Sequence, residues 1–184
     1  MKLVPTDLPG VVRVEPEVHQ DSRGFFFEVF HAEKFAAQGV DVRFVQDNHS
    51  FSRRGALRGL HLQTDEPQGK LVRCLRGEIW DVAVDVRRGS PRFGRWTACR
   101  LAGENRLQLW IPPGFAHGFC VLSDEAEVEY KCTSVYRPQG ELSVRWNDPA
   151  IGVEWPVEEP LASIRDAAAP TLAELGERLP SYSE

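Results

Sequence analysis

The chain predicts an all-β protein, a sandwich or barrel of about ten short strands. Three observations carry this expectation. Short runs rich in β-branched and aromatic residues recur at even spacing, broken by Gly, Pro and polar clusters. Within the runs residues alternate in character: Glu127, Glu129 and Lys131 share one face, while Val128, Tyr130 and Cys132 share the other. Helical periodicity is confined to two short stretches.

In chain order, the first run is Val11 to Val14, and Arg23 to Phe30 follows a turn at Asp21-Ser22. A short helix is expected from His31 to Gln38, ended by Gly39. Val42 to Gln46 and Leu57 to Gln63 are the next strands. Lys70 to Arg76 and Glu78 to Val86 are joined by a tight turn at Gly77. Trp96 to Leu101, Arg106 to Ile111, Gly118 to Leu122, Glu125 to Thr133 and Leu142 to Trp146 complete the set. A second helix, Thr171 to Leu179, begins after Pro170, and the segment after Trp155 reads as an extension packed against the strands. No repeat, low-complexity tract or linker divides residues 1–184, so the chain reads as one domain.

Composition narrows the function classes. Hydrophobic residues at 42% and charged residues at 27% are ordinary for a globular protein. A net charge of -5 argues against nonspecific nucleic-acid binding. No apolar run approaches the roughly 18 residues of a membrane span, and Met1 to Pro5 lacks the apolar stretch of a secretory signal. Cys74, Cys99, Cys120 and Cys132 are far apart in strand-like stretches, as expected of buried, reduced thiols in a cytoplasmic protein.

The most informative stretch is Arg58-Gly59-Leu60-His61-Leu62-Gln63, which sets a histidine in an apolar run. Gln63 stands where a second histidine would make a metal site. His61 is therefore either a buried structural residue or an acid or base. On the run from Lys70, the set Lys70, Val72 and Cys74 opposes Leu71, Arg73 and Leu75, and periodicity alone does not decide which set is interior. If Val72 and Cys74 face inward, Lys70 does too, at a mouth where its ammonium stays partly solvated.

Pro112-Pro113-Gly114-Phe115-Ala116-His117-Gly118-Phe119 turns the chain and then presents His117 at the start of a strand. With the His61 strand it resembles the paired motifs of the cupin jelly rolls. Metal-binding cupins use H-x-H, a downstream Glu and a second-motif His. Here the amide of Gln63 is a poor transition-metal ligand, and Lys70 lies near the Glu position, where an ammonium repels a cation. No metal is expected. His61, Lys70, His117 and Tyr130 remain. A neutral imidazole can abstract a proton, a phenol can return one from the opposite side, and an ammonium can steady an oxyanion formed in between. Those roles suit proton abstraction beside a carbonyl, and a base and acid on opposite faces of one carbon invert it.

Arg23, Arg53, Arg54 and Arg58 offer planar forks for phosphate oxygens. Phe25 to Phe27 offer rings on which a base could stack, and Gln46-Asp47-Asn48 adds hydrogen-bonding side chains. A phosphorylated, base-bearing ligand fits this cluster, and so does a solvated basic face over core phenylalanines.

From about Leu3 to Leu172 the chain closely resembles the dTDP-4-dehydrorhamnose 3,5-epimerases. The resemblance rests on an ordered series: Asp21-Ser22-Arg23-Gly24-Phe25-Phe26, Gln46-Asp47-Asn48, Arg58-Gly59-Leu60-His61, Gln68-Gly69-Lys70, the run from Gly89 to Trp96, Pro112 to Phe119, Tyr130-Lys131-Cys132-Thr133 and Asn147 to Pro156. It implies a cupin-type jelly roll (double-stranded β-helix) with short N- and C-terminal extensions and a few short helices. It implies His61 as base, assisted by Asp166, with Tyr130 as acid and Lys70 as enolate stabiliser. It assigns substrate contacts to Arg23, Phe26, Glu28, Gln46, Asp47, Asn48, Arg58, His117, Tyr136, Glu141 and Arg165. It further implies a homodimer in which Arg23 to Glu28 serve the neighbouring site, and a dTDP-sugar substrate, with neither cofactor nor metal. The implied reaction is epimerisation at C3 and C5 of dTDP-4-dehydro-6-deoxy-D-glucose; the alternative is a mono-epimerase acting at one of these carbons. Two departures, Arg165 where many relatives carry Lys and Leu62 where an aromatic is common, bear on the fit around the sugar.

Overall fold

A computed structural model describes residues 1–182. Its elements run β1 (Lys2–Pro5), β2 (Val12–Glu15), β3 (Val18–Asp21), β4 (Gly24–Phe27), α1 (Ala32–Ala36), β5 (Gln46–Arg53), β6 (Ala56–Gln63) and β7 (Lys70–Arg76). They continue β8 (Glu78–Asp85), β9 (Trp96–Ala102), β10 (Gln108–Ile111), β11 (Phe115–Val121), β12 (Glu125–Cys132), β13 (Glu141–Ser143), β14 (Leu161–Ala162), α2 (Ile164–Ala167) and α3 (Leu172–Leu175). One sheet has the order β1-β2-β10-β7-β12-β5 and the other β13-β6-β11-β8-β9, with β14 parallel beside β6. From β5 to β13 sequence neighbours other than β8 and β9 alternate between the sheets, and the two sheets face each other as a jelly roll. β3 and β4 stand apart as a two-stranded hairpin.

The interior between the sheets takes alternate residues from both. Val72, Cys74, Leu109 and Val128 come from the first sheet; Ile79, Ala83, Phe115, Phe119 and Val121 come from the second. β11 is buried along its whole length. Its odd-numbered residues face the first sheet. Ala116, on its other face, joins Leu60, Val82, Leu172 and Leu175 in a second cluster, so the C-terminal segment roofs the outer side of this sheet. A third cluster roofs the first sheet, where Val14, Leu71 and Trp110 meet Phe30, Phe35 and Phe44. The Phe30 ring lies 4.8 Å from each of the Phe35 and Phe44 rings. Because both faces of β7 are covered, Leu71 and Val72 are equally interior, which is why alternation there could not name the inner face.

Several boundaries differ from the sequence expectation. Residues 42–45 form no strand, because Val42 and Phe44 pack against the Phe35 cluster as irregular backbone. The strand instead starts at Gln46 and runs to Arg53 along β12. Arg23 lies in the turn of the β3–β4 hairpin rather than in a strand reaching Phe30. β11 begins at Phe115, before the expected Gly118, and β13 ends at Ser143. The expected helix to Leu179 is α3 followed by a single 3-10 turn, Gly176–Arg178. β1, β14 and α2 were not expected; each has at most four residues, too few for a periodic signal.

Candidate active site

Each sheet contributes two of the chemically active groups. On the second sheet, β6 and β11 pair so that His117 stands directly across from His61. On the first, Tyr130 is opposite Val72 and Lys70 is opposite Cys132, which puts Lys70 and Tyr130 on the face turned to the second sheet. The two pairs meet across the interior. The Lys70 ammonium lies 5.9 Å from the Tyr130 ring centre, and the His117 and Tyr130 rings are 6.5 Å apart. A cavity of about 850 Å³ is lined by all four, with Arg58, Asp166, Ser50 and Phe51 at its walls. A second recess of about 320 Å³ shares His61, Lys70 and Tyr130 and adds Gln46, Asn48, Tyr136 and Glu141.

Asp166 reaches the site from α2, whose first turn is capped by Ser163 accepting the Asp166 N–H at 3.1 Å. Its Oδ1 lies 2.6 Å from His61 Nε2, and its Oδ2 accepts the Gly59 N–H at 3.4 Å. Burial pushes the Asp166 carboxyl up, but the bond to His61, with those from Gly59 and Ser163, holds it below the ordinary 3.8. An ionised carboxylate only accepts, so Nε2 of His61 carries a hydrogen, and in the neutral tautomer this leaves the lone pair on Nδ1. His117 repeats the arrangement: its Nε2 lies 2.8 Å from Oδ1 of Asp81, which is fully buried. Burial pulls the His117 imidazole down despite the nearby Asp81 charge, so it rests neutral.

Burial also lowers the Lys70 ammonium below 10.5, against the attraction of Cys132, Glu141 and Asp81. It raises the Tyr130 phenol above 10.0, aided by Cys132 and Glu141 and opposed by Arg58. The phenol therefore rests protonated and able to donate. The arrangement is a base with a fixed tautomer on one sheet and a protonated acid on the other, beside a cation able to hold a developing oxyanion.

Around this centre, Arg58 donates to Ser52 Oγ at 2.9 Å and to the Phe51 carbonyl at 3.3 Å, which fixes its guanidinium at the cavity wall. Gln46 accepts the Tyr136 N–H at 2.8 Å and donates to Asn48 Oδ1 at 3.0 Å. Tyr136 donates its hydroxyl to Glu141 at 2.6 Å, and Arg165 pairs with the same carboxylate oxygen at 2.8 Å. These residues lie together as the sequence reading expected. Four do not. Asp47 alternates with Gln46 and Asn48, so it points outward and pairs with Lys131 at 2.9 Å. Arg23, Phe26 and Glu28 belong to the β3–β4 region: Arg23 is tied to Asp21 and Glu28 to Lys34, and Phe26 is 71% exposed. None of the four lines the cavity within one chain.

Gln63 is explained structurally, since its amide donates to the Glu66 and Val135 carbonyls and accepts the Arg137 N–H. Among the described residues no group of three or more His, Cys, Asp or Glu side chains is placed to hold a metal ion. Sequence reasoning missed Asp81. Its signal was present: a carboxylate between Ile79 and Val82 in an otherwise apolar run needs a buried partner.

Fold and site together define a jelly-roll enzyme of proton transfer at carbon. The chain belongs to the dTDP-4-dehydrorhamnose 3,5-epimerase family, whose model matches residues 5–174. A dTDP-4-dehydrorhamnose 3,5-epimerase of Neisseria gonorrhoeae is 54% identical over 175 residues, covering 95% of this chain; the chain spans 53% of that longer relative. The structure of the Legionella pneumophila dTDP-6-deoxy-D-glucose-3,5-epimerase, solved in complex with dTDP-4-keto-L-rhamnose, superposes with a TM-score of 0.96. It is 47% identical, covering 100% of this chain and 99% of that one. A 3'-monoepimerase of Streptomyces bikiniensis in complex with dTDP-quinovose is 41% identical with a TM-score of 0.91, covering 97% and 93% of the two chains.

Proposed function

We propose that the protein epimerises dTDP-4-dehydro-6-deoxy-D-glucose at C3 and C5, giving dTDP-4-dehydro-L-rhamnose. The observation that carries the chemistry is the placement of the Asp166-backed His61 and the protonated Tyr130 on facing sheets of one cavity, with Lys70 beside Tyr130. The C4 carbonyl of the sugar acidifies the neighbouring C–H bonds. His61 Nδ1 takes one proton, and the electron pair moves onto the carbonyl oxygen. The Lys70 ammonium holds that oxyanion. Tyr130 then gives its phenolic proton to the opposite face of the carbon, which inverts it. Only protons move, so no redox cofactor is needed. General acid–base assistance is worth on the order of 10²- to 10⁴-fold.

Arg58, Gln46, Asn48, Tyr136, Glu141, Arg165 and His117 would orient the sugar nucleotide. Arg23, Phe26 and Glu28 would serve the site of a second copy in a homodimer. The exposure of Phe26 on this hairpin, beside a Phe25 that is covered on one face by Arg106, supports this reading, because an exposed phenylalanine ring at a hairpin tip calls for a covering surface. Asp47 would meet substrate only by leaving Lys131. We read residues 1–184 as one catalytic domain working in the cytoplasm. Four free buried cysteines fit a reducing compartment, and no helix among the described residues is long and apolar enough to cross a membrane.

Turnover in heavy water tests the reading. After many reversible turnovers deuterium is expected at both C3 and C5, with the L-rhamno product seen by NMR. Exchange confined to one carbon would overturn the double epimerisation in favour of a mono-epimerase.

A further inference from the structure

The first inversion leaves the site in the wrong protonation state for the second. His61 has gained a proton and become an imidazolium. Tyr130 has lost one and become a phenolate. One proton must travel from His61 to Tyr130 before the next carbon can react, while the sugar nucleotide occupies the cavity that opens to solvent. His61 and Tyr130 stand on facing sheets with the sugar's cavity between them, so the transfer calls for a carrier that lies beside both.

We infer that His117, backed by Asp81, is that carrier: a second histidine–carboxylate pair that moves the proton from His61 to Tyr130 between the two epimerisations. The inference rests on the proposed double epimerisation. Its geometry is distinctive. His117 is the direct cross-strand neighbour of His61 on the same interior face. Its ring lies 6.5 Å from that of Tyr130 at 60°. It thus lies beside both ends of the required transfer.

Asp81 supplies the second observation. A carboxylate at 0% exposure in an apolar strand is costly, and its Oδ2 has no hydrogen-bond partner among the described residues. Substrate binding does not explain it, because Asp81 does not line the cavity. A charge held behind His117 does. With Nε2–H donated to Asp81, Nδ1 is free to accept the His61 proton, and Asp81 stabilises the imidazolium so formed. The same Nδ1–H then passes to the Tyr130 phenolate, which burial makes a strong base. One N–H bond breaks at His61 and one O–H bond forms at Tyr130. His117 ends as it began, neutral, and no external reactant is consumed.

The test is rapid-quench turnover of dTDP-4-dehydro-6-deoxy-D-glucose in heavy water, following inversion and deuterium uptake at C3 and C5 separately. In His117→Asn, read at saturating substrate because His117 also lines the cavity, the rate at the second carbon relative to the first should fall by about 10²-fold, so that singly inverted sugar accumulates. Added imidazole should restore the second step and leave the first unaffected. Asp81→Asn should show the same split, and serves as the second variant should His117→Asn fail to fold. Equal slowing at both carbons, or no slowing at either, overturns the relay. Within the first turnover the relay passes the proton taken from the first carbon to Tyr130 and so to the second carbon, which should carry substrate-derived hydrogen while the first carries deuterium. Solvent deuterium at both carbons in that turnover overturns the relay, whereas absence of deuterium from both carbons after many turnovers overturns the epimerase reading itself.

Discussion

Replacing Lys70 by Met should make the protein more stable and nearly inactive. The Lys70 stem starts β7 beside the Tyr130 ring, and Met fills a similar unbranched volume. What disappears is an ammonium that burial depresses below 10.5 even against the attraction of Cys132, Glu141 and Asp81. A depressed folded-state value means the unfolded chain binds that proton more readily. The penalty on folding is absent above 10.5 and grows as pH falls below it. Removing it at pH 7 should gain about 1 kcal/mol, the usual scale for relieving a strained functional group. For a chain of this size that is a rise in Tm of roughly 2–4 °C. The same change removes the cation that holds the enolate, and turnover should fall on the order of 10²- to 10³-fold. Thermal unfolding at pH 7 and near pH 10, with deuterium uptake by NMR, reads both. A melting point below wild type at pH 7, a gain undiminished at pH 10, or turnover within tenfold of wild type would refute the reasoning.

Three further variants probe the other parts. Asp166→Asn keeps the shape but lets the amide donate to Nε2, which puts the lone pair on the wrong nitrogen; kcat should drop by about 10⁴-fold. Because the Asp166 carboxyl is held below 3.8, its stabilisation is present above that pH and lost as pH falls through the folded value, so acid unfolding curves of this variant should be flatter than wild type. Tyr130→Phe should separate two events. His61 still removes and returns a proton on its own face, so deuterium wash-in outlasts inversion, and parallel loss of both would contradict the assigned acid. Gly59→Ala should lower Tm by roughly 6–12 °C, corresponding to about 3 kcal/mol. Gly59 has φ 126, and an added Cβ would sit 2.6 Å from Gly118 Cα on the neighbouring strand.

Alternation carried the sequence reading as far as the strands were regular. It placed Tyr130 inward, and it placed Lys70 on the face of Val72 and Cys74. The outward turn of Asp47 was equally legible, since it must oppose Gln46 and Asn48, but the motif match overrode the period. Asp166 was beyond any periodic argument. α2 has four residues, and its carboxylate finds His61 only through the tertiary path of the C-terminal segment, so only the family resemblance reached it. Residues 42–45 looked like a strand because Val42 and Phe44 alternate. The aromatic cluster under Phe35 satisfies that same alternation without any ladder. Arg23, Phe26 and Glu28 show the remaining gap: the resemblance implied that they serve a neighbouring subunit's site, and the folding of one chain leaves them outside its own cavity.

The placement of the active groups constrains how one site could treat two carbons. His61 and His117 sit on paired strands of one sheet, and Lys70 and Tyr130 on paired strands of the other. Groups on mutually hydrogen-bonded strands hold their positions far better than groups on loops. Base and acid cannot trade places or travel from C3 to C5, so the sugar must move. Its C4 oxygen is the natural pivot, because both carbons flank it and Lys70 holds it from the acid's side. A turn of the ring about that oxygen brings each C–H in succession toward His61 while keeping the far face toward Tyr130. The freedom for such a turn lies in the walls rather than the catalytic groups. Tyr136, Glu141 and Arg165, joined through a single carboxylate oxygen where the two recesses meet, are the residues whose spacing would allow or forbid it.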